Sequence, residues 1–467
     1  MSHLQLLAES PLGIPWEEWF HTFKPSFITF GHNDGDKFWV ELLTIPIFSA
    51  IAGVLTNWTG VLMLFVPINF TGFYMPGVKF IFPWLPRKLQ ILPCWAPGGI
   101  IGFQGFVPAR AEKVAAITYD LAIAKIGTLA DLIGQMDREA IERQIINVAK
   151  PQIRPLVDDI MKRENPQLWR DVPQQIKNTV FERVETELPG ISSRAFERIR
   201  VNIDNLIDAK LLVIGFLRRQ PDVLRDLIQG LGAPELRFMV KIGLLGGPFG
   251  VMLALWLNVY DKIPVVGAIP AWLMVLTGAA LIGIVVNIIA IKVVFTPGEP
   301  QPWYKCIWRQ GLLIKRQHAA AADFGHALAY RILTPKNIID ELLYGARGDR
   351  AQGLINAQLN TEVHHVLGPL MPAIRQAVGG KEFEQIKAGA GTAALGMADV
   401  LTKDEDFLAM QADFIEEFAT QKLRELPPDE FGEILLAAIE QDAWLLYAHG
   451  GLLGIVVGAI HILIFGA

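Results

Sequence analysis

The chain of 467 residues has only two cysteines, Cys94 and Cys306, which excludes a disulfide framework, a CxxC redox pair and a cysteine-rich zinc site. Charge is also scarce: Asp, Glu, Lys and Arg make up 19% of residues, where a soluble domain has about a quarter. The net charge of −5 gives no field for nucleic acid, and none is expected as a partner. HExxH, a P-loop, a dinucleotide fingerprint, a nucleophile elbow and paired carboxylates are all missing, so an enzyme is the least supported class and no cofactor is expected. What is abundant is apolar surface. With 52% hydrophobic residues, including 26 Phe and 12 Trp, the chain has ample material to bury, which excludes general disorder and points to a membrane protein.

Stretches free of acidic and basic residues and at least about 18 residues long can cross a bilayer. Four occur. The first runs from Leu42 to Val78 and is most apolar over 44–66; the second is Ile242–Tyr260. The third, Ile263–Ile291, contains Pro264 and Pro270, so its helix is expected over about 270–291. The fourth runs from Ala443 to the chain end, with its helix over 443–466. Residues 1–40 read as a polar and aromatic lead-in, interfacial through Trp16, Trp19 and Phe20, without the features of a secretory signal. Residues 68–109 carry Pro93, Pro97 and Pro108 and read as re-entrant or surface-lying rather than spanning. Two charged regions, 110–241 and 309–441, repeat apolar residues at helical spacing, as in Ile141, Ile145, Ile146 and Val148. The expected fold is all-α, with about four transmembrane helices and two helical domains.

The chain also resembles itself. Gly53, Asn57, Phe65 and Pro67 align without a gap on Gly283, Asn287, Phe295 and Pro297. Gln104-Gly105, Arg110 and Thr128 then fall on Gln310-Gly311, Arg316 and Thr334. Gly243, Gly246 and Gly250 match Gly451, Gly454 and Gly458. Two tandem parallel repeats follow, 41–260 and 263–467, each a span, a helical domain and a span. Such units place both helical domains on one side. Lys79, Arg87, Lys88, Arg237, Lys241, Lys292, Lys305, Arg309, Lys315 and Arg316 flank that side, against Lys24, Lys37 and Lys262 on the other, so it is expected to be cytoplasmic.

The combination G-x-x-x-N, F-x-P and Q-G-hydrophobic-hydrophobic-P followed by Arg is carried by Gly53, Asn57, Phe65, Pro67, Gln104, Gly105, Pro108 and Arg110. It resembles a widespread bacterial membrane family catalogued as a domain of unknown function, with YjiN-like and YheB-like members. The resemblance implies a multi-pass protein of the bacterial inner membrane and no particular reaction. The second copy departs from it, with Ile314 where the first has Pro108.

Several positions invite a site. Asn57 and Asn287 are polar amides inside spans, where they line a polar path, hold a headgroup or, on the plainer and favoured reading, serve as interhelical hydrogen-bond glue. Gln104, Gln310, Arg110 and Arg316 are binding candidates beneath the membrane, where arginine forks suit lipid phosphate; ordinary positive-inside anchoring explains the arginines as well. The glycines at 243, 246, 250, 451, 454 and 458 have small-residue spacing and predict contact between the second and fourth spans or between protomers. His318 and His326 match Glu112 and Asp120 in the alignment, a set that two separate exposed helices explain better than a metal site. Membrane lipids, a protein at the helical domains and a second copy of the chain are the expected partners. The favoured function is binding or transfer of a lipid or other amphipathic molecule, followed by a structural or signalling scaffold, then a transporter or channel.

Overall fold

The computed structural model describes residues 34–74, 99–164, 166–302, 308–368, 376, 379–440 and 443–466. Trp16, Trp19, Phe20, Lys24, Cys94, Cys306, Lys79, Arg87, Lys88 and Lys305 lie outside them, as does most of the lead-in and residues 75–98.

The protein is all-α, and four helices are long and apolar enough to cross a membrane: Lys37–Phe65, Ala233–Lys262, Ala271–Phe295 and Ala443–Phe465. The third begins directly after Pro270, whose fixed φ suits a helix start, and ends before Pro297. The second differs from expectation. It starts at Ala233, nine residues before the charge-free stretch, because Arg237 and Lys241 sit within a helix that continues through a 3₁₀ turn at Gly243–Leu245 into Gly246–Leu257.

The described parts of the segment 68–109 form a short β-ribbon and a helical turn. Thr71–Tyr74 pairs antiparallel with Gly99–Phe103, Thr71 opposite Phe103, and a single helical turn follows at Phe106–Ala109. The proline-dense part precedes this strand; Ile100 and Ile101 suit a pleated ribbon better than a helix interrupted by glycine.

The described chain divides into two compact units. One contains residues up to Arg110, Leu224–Gln317 and Pro427 onward, and holds all four apolar helices. Within it the first span packs on the second, third and fourth, and the third packs closely on the fourth.

The other unit combines Ala111–Val223 with His318–Leu426. The two regions read as helical domains thus contribute to one compact unit, while residues 224–241, 309–317 and 427–440 cluster with the four apolar helices. Long helices at Arg138–Glu164, Gln174–Leu206 and Glu405–Glu425 dominate it. One core cluster gathers Ile153, Trp169, Phe181 and Leu188. Bonds between distant segments knit the unit together. The Asp137 N–H donates to the fully buried Gln411, and Arg194 forks onto Glu362, which is 3% exposed. That fork holds the Glu362 carboxyl below the usual carboxylate range. Thr128 and Thr334, matched in the sequence, both cap helices, accepting from the backbone of Asp131 and Asn337.

Candidate functional site: the asparagine junctions of the spans

Gly53 and Gly243 bring the first and second spans into backbone contact. A Cβ on Gly53 would lie 2.1 Å from the Gly243 carbonyl oxygen, a distance no side chain tolerates. One turn further, the Asn57 amide donates from Nδ2 to the Met239 carbonyl at 2.6 Å. That carbonyl is available because the chain tightens: the Gly243 N–H turns to the Val240 and Lys241 carbonyls instead of reaching back to Met239.

The third and fourth spans carry the same construction. A Cβ on Gly283 would lie 2.2 Å from the Gly450 carbonyl oxygen, and Asn287 Nδ2 donates to the Leu446 carbonyl at 2.6 Å. Both asparagines are buried, at 4% and 6% exposure.

The glycine series thus joins the second span to the first and the fourth to the third. Gly246 meets Ser49 and Gly250 meets Pro46, while Gly454 and Gly458 meet Ala279. The expected contact between the second and fourth spans is not what these glycines make. The position equivalent to Gly243 at the second junction is Gly450 rather than Gly451, whose nearest neighbour is the Ile284 side chain.

Below the junctions, Gln104 Nε2 donates to the Ile68 carbonyl at 2.7 Å and Gln310 Nε2 to the Gly298 carbonyl at 2.9 Å. The following glycines donate their N–H groups to Pro67 and Pro297, at 2.9 and 2.8 Å. Each glycine lies so close to the end of a span, Gly105 to Phe65 and Gly311 to Phe295, that a Cβ would collide with backbone. Arg316 reaches both carboxylate oxygens of Glu235, at 3.1 and 3.2 Å, and the Leu231 carbonyl at 2.5 Å. Glu235 is buried, so this charge-assisted fork satisfies a carboxylate that would otherwise be costly. Arg110 closes the Phe106–Ala109 turn through its N–H to the Val107 carbonyl.

The proposed metal ligands do not converge. Asp120 pairs with Lys210 at 2.7 Å, His326 Nδ1 lies 2.8 Å from Glu416 while its ring stacks on Tyr330, the His318 carbonyl accepts from Arg424, and Glu112 is exposed. Among the described residues no three metal-ligating side chains gather. Tyr330 donates to Asp413, which pushes its hydroxyl up to about 12.

Two histidines of the fourth span, His461 buried and His449 half-buried, escaped the sequence reading. His449 Nε2 lies 2.9 Å from Thr59 Oγ1, and His461 Nε2 lies 2.9 Å from Thr44 Oγ1. Each threonine donates its single hydroxyl proton to its own helix, at Leu55 and Val40, so each imidazole must be the donor through Nε2–H. A search for charge-free runs passes over histidine; asking for any ionisable residue inside a span finds both.

A groove of about 440 Å³ lies between the second and third spans, lined by Met252, Trp256, Met274, Leu281 and Val285. The space between the asparagines is far smaller, about 10 Å³. No family model, curated protein or solved structure matches the chain.

Proposed function

We propose that this chain is a non-enzymatic, multi-pass anchor in the bacterial inner membrane, whose spans hold a cytoplasmic helical unit that binds a protein partner. The observation that carries this reading is the closure of the span bundle. Both asparagine amides are committed to backbone carbonyls, leaving about 10 Å³ between them, and Arg316 is committed to Glu235. The amide NH₂ groups and the guanidinium that favoured a lipid headgroup or a solute path are therefore engaged internally. The cytoplasmic assignment rests on Arg237, Lys241, Lys292, Arg309, Lys315 and Arg316 against Lys37 and Lys262. The bacterial inner membrane is what the family resemblance implies. We read the matched junctions as two tandem copies of one unit. A second reading, binding of a lipid or other amphipathic molecule, draws support from the apolar groove between the second and third spans.

Photocrosslinkers placed singly at exposed Val201 and Tyr344 of the helical unit, and at Met252 and Leu281 of the groove, separate the two readings in cells. Discrete protein adducts from the first pair, with only ordinary membrane lipid from the second, are expected. A stoichiometric lipid retained at the groove through purification, with no protein adduct at the helical unit, would favour the lipid reading.

A further inference from the structure

We propose that the centre of the span bundle is a binding site for one water molecule, shared by Asn57 and Asn287. Both residues line the same small cavity, about 10 Å³ in volume, together with Gly60, Val61, Met239 and Leu446. That is the space one water requires, roughly 10–15 Å³ for its centre.

The hydrogen-bond inventory fixes what each amide offers. Met239 and Leu446 present carbonyl oxygens, which only accept, so the side facing each must be the amide NH₂. Each amide then has its oxygen left over. Asn57 Oδ1 is buried with no hydrogen-bond partner, and the one hydrogen bond of the Asn287 side chain is the donation from Nδ2. An orphaned amide oxygen in a hydrocarbon-embedded bundle is costly.

The site therefore presents two acceptors in a space of one water. Water carries two O–H donors, so a single molecule satisfies both oxygens and links the junction of the first two spans to that of the last two. A metal cation would need more oxygen ligands than the two available. An acyl chain or headgroup is too large for the space.

The test is proton-detected solid-state NMR on the full chain in lipid nanodiscs, with asparagine labelled in ¹³C and ¹⁵N. The Asn57 and Asn287 Cγ signals are expected to receive polarisation from water protons and to keep it while exposed asparagines are exchanged into D₂O. Asn287→Leu, which fills the cavity while leaving the Asn57 bond to Met239, is expected to abolish the Asn57 Cγ water cross-peak. Replacing sodium by choline is expected to leave both signals unmoved. Absence of water transfer to either Cγ in the unaltered protein would overturn the proposal even if the variant failed to fold. Persistence of the Asn57 cross-peak in folded Asn287→Leu, or a sodium-dependent Cγ shift, would overturn it as well.

Discussion

The junction between the first two spans and that between the last two make the same contacts along different helix paths. Gly243 and Gly246 lie three residues apart on a 3₁₀ turn, whereas Gly450 and Gly454 lie four apart on an unbroken α-helix. Both pairs nevertheless reach the facing backbone. A 3₁₀ turn advances about 3.0 residues per turn and an α-helix 3.6, so one residue is absorbed without moving the contact face. The asparagines feel the difference. Asn57 takes a carbonyl released from its helix, while Asn287 shares a carbonyl that its α-helix still engages through Gly450. Equal contacts are thus bonded to unequal degrees.

That difference can be broken most forcefully at the glycines. Gly450→Ala places a methyl 2.5 Å from Asn287 Nδ2 and 2.6 Å from the Gly283 oxygen, and should destabilise by about 1–3 kcal/mol or more. Gly451→Ala meets the Ile284 side chain at 3.2 Å and the Ala280 oxygen at an ordinary 3.9 Å, and should stay within about 0.5 kcal/mol of the parent. Thermal unfolding in detergent ranks the two, and a reversed order would restore the gapless sequence alignment. Next come the amides. Asn57→Ala leaves the Met239 carbonyl without a donor and should cost about 1–3 kcal/mol, against about 0.5–1.5 kcal/mol for Asn287→Ala, where Gly450 N–H remains on Leu446. Equal losses would mean that the released carbonyl has found another donor.

The smallest expected effect contrasts the spans with the helical unit, which is cross-linked by charge. Glu362 has its carboxyl lowered by the Arg194 fork and by Gln358, so its contribution is fully present above the ordinary carboxylate range and is lost as pH falls through the lowered value. Arg194 is about half exposed, which limits the contribution to about 1 kcal/mol. Glu362→Gln should flatten the acid limb of helical-unit stability, followed by circular dichroism between neutral pH and pH 3, by lowering stability at neutral pH by up to about 1 kcal/mol while leaving stability at the acid end nearly unchanged. An unaltered acid limb would assign it to other carboxylates.

Much of this was legible in the residues. Span four was bounded closely because its charge-free run coincides with its helix, and span three was bounded at its start by Pro270, though its helix continues through Lys292 to Phe295. The second was read short because Arg237 and Lys241 interrupt the run but not the helix. The matched Asn, Gly and Gln positions located the junctions, yet not their chemistry. Whether an amide holds a ligand or a carbonyl depends on the helix beside it, and the freeing of Met239 by a 3₁₀ turn leaves no trace in composition. Arg316 looked available for phosphate because its partner, Glu235, is 81 residues away. The merging of two helical domains into one unit likewise depends on contacts such as Arg194 to Glu362, 168 residues apart.

The claim that the spans form a closed anchor is tested most directly by flux through proteoliposomes containing the purified full chain. Release of trapped ions and of a small fluorescent solute should equal that of protein-free vesicles, and Asn57→Leu with Asn287→Leu should not change it. Release above the protein-free level that the double variant abolishes would contradict the anchor and make the paired asparagines a path.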